Sequence, residues 1–544
     1  MTRSQSRSAA GGGSGSDGAV WVSLITVVGI FIARLPAMVE PLGPDQGLYA
    51  SMAWGLKRGL LLYRDLFEQK PPGLFLTYRL AFALFGSRRE SIFWIDYLAG
   101  LMTVVFIIDV GRRLVNLRFG AFAGAVVAIS TLPAARYPYG GFLERAVTEP
   151  FVTALIAAAV WASVIACAGT KAQHWWAFAA GIFVGTAALY KQTAVIYWLA
   201  LVGWVWFSTD TARARRFALH AMGGALIPPL LAFLWLWSRG VLRDAYITLV
   251  EYNVAYLSLG HQGFGFTANR FAHEVWRRVT GDEVWALGSL SAVVAFFAWR
   301  WRSTPAGRVA MLGIMWLGGA LTATIANGPR LFATYFITSL VPLALLSAWL
   351  LHQTLGSSRR VKVASGFLVL AFTGVMLVHS RSLQRAASST VWDARHLFGQ
   401  IDRDVYLEHF RSRSTQAFAA ADNEAVADYI RSHTDPADRI FVFGMAGGVY
   451  FSSGRLPASR FLFVYPAVSR MIDRPEFGVE HLAAELTRTV PRYIILQRHN
   501  GDSFSGWRAV DSFASPPMAN LLRRYQPETE VGDFLLYRKR DDLP

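Results

Sequence analysis

Cysteine, lysine and charged residues in general are scarce in this sequence of 544 residues. The single cysteine, Cys167, excludes an intrachain disulfide, a cysteine-based zinc site and an iron–sulfur cluster. Charged residues make up 16% of the chain, whereas soluble proteins have about 25%. Long apolar runs account for the difference, since hydrophobic residues make up 53% of the chain. The composition excludes a soluble multidomain enzyme and a disordered protein, and it predicts a polytopic α-helical membrane protein.

Eleven apolar runs are candidate membrane spans, and a polar tail rich in Gly and Ser, residues 1–18, precedes them. The runs lie at residues 19–38, 91–111, 119–135, 150–169, 174–190, 192–208, 217–237, 284–301, 308–327, 331–351 and 361–379. Residues 71–86 are also apolar, but this segment is short and contains Arg79. We therefore expect an interfacial helix there instead of a twelfth span.

The distribution of basic residues predicts the orientation of the spans. Five short loops hold thirteen Lys and Arg residues against one acid, Asp210, and the alternate loops hold far fewer. Basic loops normally face the cytoplasm, so the amino terminus is predicted to be cytoplasmic and residues 380–544 to lie outside. The formal charge is +16 up to residue 379 and +1 beyond it. This pattern favours contact with membrane lipids and argues against nucleic-acid binding.

Residues 380–544 show the alternation of a small extracytoplasmic α/β domain. Helices are predicted around residues 423–433 and 482–486, and strands at residues 440–443, 493–496 and 534–537. Strands that alternate with helices favour a layered arrangement. The chain is thus predicted to comprise the tail 1–18, a membrane module 19–379 and this outer domain.

The outer segment 39–90 carries charges that suit chemistry at the membrane surface. Tyr49 begins an apolar stripe at helical spacing, which predicts an amphipathic helix lying on the membrane. Asp45 precedes this stripe, and Glu68 and Lys70 come directly before two prolines and an apolar helix. A carboxylate there can remove a proton from a polar acceptor, and an ammonium can neutralise a departing lipid phosphate. An ordinary charged interfacial loop is the alternative interpretation.

The rarity of lysine draws attention to two positions. Of the 53 basic residues only six are lysines, yet Lys70 and Lys191 both fall at predicted outer edges of the membrane. A compact ammonium binds phosphate as a point charge, unlike the larger arginine fork. Lys191 lies between two short spans, where a cation is costly unless it faces a polar cavity. A connecting turn with one lysine that reaches the interface is the alternative.

Three further residues are candidates near the same face. Glu149 precedes Pro150 at the mouth of the fourth span, where it shares a cavity with Asp45 or simply complements the helix dipole. Arg330 and Tyr335 lie at the outer edge of the ninth and tenth spans, where they bind phosphate and substrate or anchor the helix. The histidines lack ligand spacing and no cofactor-binding motif occurs, so we expect no protein-only metal site and no cofactor.

These motifs resemble the protein mannosyltransferase and aminoarabinose transferase superfamily. The similarity rests on Asp45 with Gly47 and Tyr49, on the Glu68–Pro72 turn, and on the Leu189–Lys191 turn. It implies an integral-membrane glycosyltransferase of the GT-C fold, which moves a sugar from a polyprenyl phosphate to a lipid, glycan or protein acceptor with inversion.

The same resemblance implies roles for individual residues. It implies that Asp45 activates the acceptor, that Lys70 and Lys191 bind the donor phosphate, and that Glu68 and Glu149 are further active-site acids. Gln46 stands where members of the superfamily often have a second acid. The outer domain, with the segment RIFVFGMAGG, looks like that of bacterial members, which implies a bacterial plasma membrane with the active site on the outer face.

Two other classes of protein remain as alternatives. A transporter or lipid flippase predicts inverted repeats and charges near the middle of the membrane. The sequence has no internal repeat, and its candidate charges cluster at one face. A non-catalytic membrane scaffold predicts that Asp45, Lys70 and Lys191 do not share a cavity.

Overall fold

Helices form most of the protein in the computed structural model, which describes residues 14–131, 145–169, 171–258, 263–297, 304–356, 374, 382–411, 418–502 and 506–542. The helices of the membrane module are α1 Ser14–Arg34, α2 Pro44–Lys57, α3 Gly73–Phe85, α4 Arg89–Leu114, α5 Leu117–Ser130, α6 Thr148–Cys167, α7 Gln173–Ala188, α8 Ile196–Ser208, α9 Thr211–Ser238, α10 Leu242–Tyr246, α11 Tyr252–Ser258, α12 Phe264–Gly281, α13 Glu283–Phe297, α14 Pro305–Ile325 and α15 Leu340–Gly356. Short 3-10 segments at Leu35–Val39, Gln192–Val195 and Ala333–Ser339 and a π segment at Ile247–Glu251 connect some of them.

The helices agree with a multi-pass membrane protein. Among the described residues, six helical segments are long and apolar enough to cross a membrane, and α12 with α13, bent by 108°, would make a seventh. Helices occupy ten of the eleven predicted spans, while the eleventh, residues 361–379, lies outside the described residues except for residue 374. The count of eleven spans therefore stays a prediction. Helix α3 has 13 residues, too few to cross a bilayer that requires about 20.

Small residues bring the membrane helices close together. A Cβ atom placed on Gly181 would lie 1.9 Å from the carbonyl oxygen of Ala221, and one on Gly224 would lie 2.0 Å from that of Phe178. Helices α7 and α9 therefore cross with their backbones almost in contact, as small residues allow in membrane proteins. This crossing fixes α7, whose carboxyl end leads into the turn that carries Lys191.

Residues 380–544, called the outer domain here because of their predicted location, contain a mixed sheet. Its strands are β1 Arg439–Phe443, β2 Leu456–Pro457, β3 Tyr493–Gln497, β6 Tyr525–Val531 and β7 Phe534–Lys539, in the order β2-β1-β3-β7-β6, while β4 Gly501–Asp502 and β5 Trp507–Arg508 form a separate pair. Strand β1 is parallel to β2 and β3, and β7 is antiparallel to both of its neighbours. The helices are α16 Ser382–Leu397, α17 Arg403–Leu407, α18 Ala420–Ser432, α19 Gly448–Ser453, α20 Tyr465–Val468, α21 Val479–Thr489, α22 Ala509–Phe513 and α23 Pro516–Leu522.

Alternating side chains place the sheet between two cores. Ile440 and Val442 belong to the core cluster that continues into the membrane module, whereas Phe441 and Phe443 belong to a second cluster on the other face. The predicted strands at residues 440–443, 493–496 and 534–537 and both predicted helices are confirmed. Strand β6 was not predicted, since it is an edge strand in which only Tyr525 is buried.

The helix predicted from the apolar stripe at Tyr49 is confirmed as α2, but the prediction that its other face is exposed to water is wrong. Every residue of α2 from Gln46 to Leu56 is buried. The outer domain covers the side that was expected to face water. Contact there is direct, since the Ser51 hydroxyl donates to the carbonyl oxygen of Gly447 at 2.6 Å. A Cβ atom on Gly47 would lie 2.8 Å from the Cα of Gly448. The apolar stripe marks only one of the two faces that are buried.

Candidate active site

A cavity of about 560 Å³ lies between the membrane module and the outer domain. Its walls include the start of α2, the segment before α3, the first turn of α6, the turn after α7 and the segment between α14 and α15. All eight candidate residues line it: Asp45, Tyr49, Glu68, Lys70, Glu149, Lys191, Arg330 and Tyr335. Three carboxyl groups and three basic side chains (two lysines and one arginine) from distant parts of the sequence thus line one cavity.

The backbone around Gly73 brings the two lysine-bearing segments together. The Gly73 amide donates to the carbonyl oxygen of Leu189 at 2.7 Å. A Cβ atom on Gly73 would lie only 2.6 Å from that oxygen, so no other residue fits without displacing the backbone. The two prolines before Gly73 restrict the approach to α3. This contact sets the segment of Lys70 beside the turn of Lys191.

Lys70 forms an ion pair with Glu68. The Nζ of Lys70 donates to the Oε1 of Glu68 at 3.2 Å and lies 5.0 Å from the ring centre of Tyr49. Burial raises the pKa of the Glu68 carboxyl, and the ammonium of Lys70 opposes this effect. Burial acts to lower the pKa of Lys70, but the carboxylates of Glu68 and Asp45 outweigh it and raise the pKa above its usual value. Lys70 therefore remains a cation at the cavity wall.

Lys191 forms a second, shorter ion pair with Glu149. Its Nζ donates to the Oε1 of Glu149 at 2.6 Å, and the Thr148 hydroxyl donates to the other carboxylate oxygen at 2.7 Å. The same ammonium lies 3.5 Å from the ring centre of Tyr335, a cation–π distance. Only 17% of the Lys191 side chain is exposed, and 3% of that of Glu149. Glu149 thus does more than complement the dipole of α6, because its carboxylate holds a cation at the cavity.

Asp45 is the exposed acid of the site. It lies in the first turn of α2, and its Oδ2 accepts a hydrogen bond of 2.9 Å from the Tyr49 hydroxyl. Burial and the Asp45 carboxylate raise the pKa of the Tyr49 hydroxyl well above its usual value. Tyr49 therefore keeps its proton and orients Asp45, which is exposed and lines the cavity.

Arg330 adds a third cation near the end of α14. The residue is 7% exposed, and its guanidinium carbon lies 4.3 Å from the ring centre of Tyr256. Its carbonyl oxygen accepts from the guanidinium of Arg270 at 3.4 Å. The stacking holds the Arg330 fork at the cavity wall.

The two acids inside the second predicted span lie outside this cavity. The Oδ1 of Asp96 accepts from the Ala146 amide at 2.7 Å. Asp109 forms a local ion pair with Arg112 at 2.5 Å. Among the described residues, no group of three or more His, Cys, Asp and Glu side chains is arranged to hold a metal ion.

Sequence reasoning missed several residues of the cavity wall. From the membrane module these include Gln69, Asn253, Tyr256 and Asn327, and from the outer domain Phe418, Met445, Phe463, Tyr465, Gln497 and Asn500. Nothing in the sequence marked Asn253 as part of the site. In the structure its side-chain amide donates to the carbonyl oxygen of Gln69 at 2.9 Å. Uncharged residues carry no local sign of a site, so only the tertiary arrangement identifies them.

Part of the sequence and the fold as a whole are similar to those of known membrane glycosyltransferases. Residues 69–237 match the model of the family described as dolichyl-phosphate-mannose-protein mannosyltransferase. This match and the fold confirm the resemblance to the protein mannosyltransferase and aminoarabinose transferase superfamily, a group of membrane glycosyltransferases. A search of curated protein sequences gave no match.

Solved structures share this fold over nearly the whole chain. ArnT from Cupriavidus metallidurans bound to undecaprenyl phosphate has a TM-score of 0.57 and 13% identity, with 97% of this chain and 99% of that chain covered. Its apo form has a TM-score of 0.56 and 14% identity, with 96% and 98% covered. The Archaeoglobus fulgidus oligosaccharyltransferase tethered with an acceptor peptide has a TM-score of 0.50 and 12% identity, with 96% of this chain and 75% of that chain covered. At sequence identities this low, the similarity shows a common fold and nothing more.

Proposed function

We propose that the protein transfers a sugar, a hexose or a pentose, from a polyprenyl-phosphate donor to an acceptor at the outer face of the membrane. One observation carries this proposal: Asp45, Glu68, Glu149, Lys70, Lys191 and Arg330 line a single cavity. Such a transfer needs a base for the acceptor and cations for the leaving phosphate, and the cavity holds both.

The three cations bind the donor phosphate in this proposal. Lys70 and Lys191 are each paired with a buried acid, which restricts the positions of the two ammonium groups. Burial lowers the pKa of Lys191, and the Glu149 carboxylate opposes this effect. A phosphate that enters the cavity meets cations that are already ordered, so little reorganisation accompanies charge development on the leaving group. Tyr335 contacts both Lys191 and the cavity and is placed to touch the donor.

Asp45 acts as the general base. The acceptor hydroxyl or amine transfers its proton to the Asp45 carboxylate as its oxygen or nitrogen forms the new bond to the anomeric carbon. The bond from that carbon to the phosphate oxygen breaks on the opposite face, which inverts the configuration. The polyprenyl phosphate departs with the electron pair and is neutralised by the cations. Tyr49 orients Asp45 through its hydrogen bond of 2.9 Å.

The proposal extends to location and organisation. The chain is assigned to a bacterial plasma membrane, with the tail 1–18 inside, the membrane module 19–379, and both the active site and the domain 380–544 outside. The basic loops support this orientation. The acceptor is a lipid, a glycan or a protein, and no cofactor takes part. Undecaprenyl phosphate, which ArnT from Cupriavidus metallidurans binds, is the model for the donor lipid.

The experiment separates transfer from transport. Purified protein is reconstituted in vesicles with undecaprenyl-phosphate mannose, glucose or arabinose labelled in the sugar, together with cell-envelope material of the source strain as acceptor. A transferase separates the label from the undecaprenyl phosphate. A flippase moves the intact labelled lipid between leaflets and leaves the sugar–phosphate bond in place. Labelled lipid that stays intact with every donor, while it changes leaflet, would overturn the proposal.

A further inference from the structure

The two halves of the cavity differ in charge. All six ionised side chains of the proposed mechanism come from the membrane module. The outer domain contributes six described residues to the wall, and none of them is charged: Phe418, Met445, Phe463, Tyr465, Gln497 and Asn500. An anionic group is stabilised on the first half only. The second half offers amides and aromatic rings, which suit an uncharged ligand.

The uncharged half coincides with a switch point in the sheet. The chain leaves β1 towards β2 on one side, and later returns as β3 on the other side of β1. In open α/β sheets, ligands bind in the crevice beyond the carboxyl ends of the strands at such a point. Met445 follows β1 and Asn500 follows β3, so the residues at this crevice belong to the cavity wall.

A specific contact links the ends of β1 and β3 at this crevice. The Met445 amide donates to the side-chain Oε1 of Gln497 at 3.1 Å. A Cβ atom on Gly444 would lie 2.6 Å from the Cβ of Gln497, so glycine is required for Gln497 to cross the crevice. Gln497 therefore lies between the ends of the two strands, and Asn500, three residues later, lines the same cavity.

Asn500 carries an unused hydrogen-bond acceptor. The residue is only 4% exposed, and its Oδ1 has no hydrogen-bond partner in the described part of the chain. A buried acceptor left unpaired is costly, and native structures keep few of them. A ligand hydroxyl that donates to Oδ1 would satisfy it.

We infer that this crevice is a subsite for an uncharged, hydroxyl-bearing sugar unit, with Asn500 as the residue that recognises a hydroxyl. The amides supply hydrogen bonds, and the rings of Phe463 and Tyr465 supply apolar wall. The inference rests on the proposed glycosyl transfer and deepens it. The sugar is either the unit on the donor or the first unit of a glycan acceptor, since both have the same chemistry.

The test uses the full-length protein in detergent with Asn500→Ala. The matched control is Asn520→Ala, which alters an exposed asparagine of α23 in the same domain. Affinities are measured for undecaprenyl phosphate and for undecaprenyl-phosphate mannose, glucose and arabinose, and the KM of the acceptor is measured in the transfer reaction. Unchanged affinity for undecaprenyl phosphate shows that the variant is folded. If Asn500→Ala fails to fold, Asn500→Ser, which keeps a polar group, is measured instead.

Loss of one neutral hydrogen bond should weaken the sugar-dependent quantity about three- to ten-fold. If the crevice holds the donor sugar, Asn500→Ala raises the Kd of the sugar-bearing donor. If it holds an acceptor sugar, Asn500→Ala raises the acceptor KM and leaves the donor affinity unchanged. Either outcome supports the subsite. Wild-type values for every donor and for the acceptor KM would overturn it and leave the proposed transfer standing. Absence of transfer by the wild-type protein with all donors would overturn both.

Discussion

Replacement of Asp45 by asparagine tests the proposed base directly. Asparagine has nearly the same shape, and its side-chain oxygen can still accept the hydrogen bond of 2.9 Å from Tyr49. What disappears is the capacity to take a proton from the acceptor. The cations of the cavity are unchanged, so we expect donor binding to survive and turnover to fall.

The size of both effects follows from the position of Asp45. It is exposed and lies in the first turn of α2, so the variant loses an interaction with the helix dipole that is worth about 0.3–1 kcal/mol of folding free energy. Loss of a general base lowers the rate by a factor of roughly 10² to 10⁴, which corresponds to about 3–5 kcal/mol in the activation free energy. The effect on turnover should therefore far exceed the effect on stability.

The assay measures kcat and the donor affinity of purified protein, with thermal unfolding as a check of the fold. Asp65→Asn is a matched control, since Asp65 lies in the same outer segment and accepts from the Leu61 amide at 2.8 Å but does not line the cavity. We expect the control to turn over normally. Near-normal kcat in a well-folded Asp45→Asn protein would refute the assignment of the base.

Three further predictions address the phosphate site, the backbone and the topology. Lys70→Met and Lys191→Met should each weaken undecaprenyl-phosphate binding or turnover by about 10²-fold or more. Lys57→Met is the control and should have no effect, since Lys57 is exposed and lies outside the cavity. Equal activity of all three variants would show that Lys70 and Lys191 do not recognise the phosphate. Gly73→Ala should lower the free energy of unfolding by about 1–3 kcal/mol, but Gly318→Ala, where a Cβ atom meets nothing within 4 Å, should not lower it, as thermal denaturation will show. A reporter fused to the carboxy terminus should be active only outside the cytoplasm, and cytoplasmic activity would contradict the predicted orientation.

The charged residues of the site could be selected from sequence because each has a local signal. Lys70 and Lys191 stand out in a chain that uses arginine almost everywhere else, and Glu68 precedes a double proline. Their common cavity depends on the contact between Gly73 and Leu189, which no local pattern reveals. The sequence therefore indicated which side chains are candidates, and the structure supplies their pairing.

The rest depends on contacts between distant segments. Continuous apolar runs indicated β1 and β3, since both strands are fully or almost fully buried, and helical periodicity indicated α2. This periodicity identified α2 as a helix but missed the burial of its second face, which is covered by a segment about 400 residues later in the chain. Asn500 and Gln497 have no charge and no helical or strand register that marks them, so their place at the cavity follows only from the order of the strands.

The burial of α2 has a consequence for how the protein is made. This helix is synthesised about 400 residues before Gly447, Gly448 and Phe451, whose atoms cover its second face. Until those residues have been translated and folded, this face of α2 is uncovered. The cavity is thus completed late in biosynthesis, and a nascent chain that stalls before residue 447 would display an unfinished helix to chaperones and proteases instead of a working site.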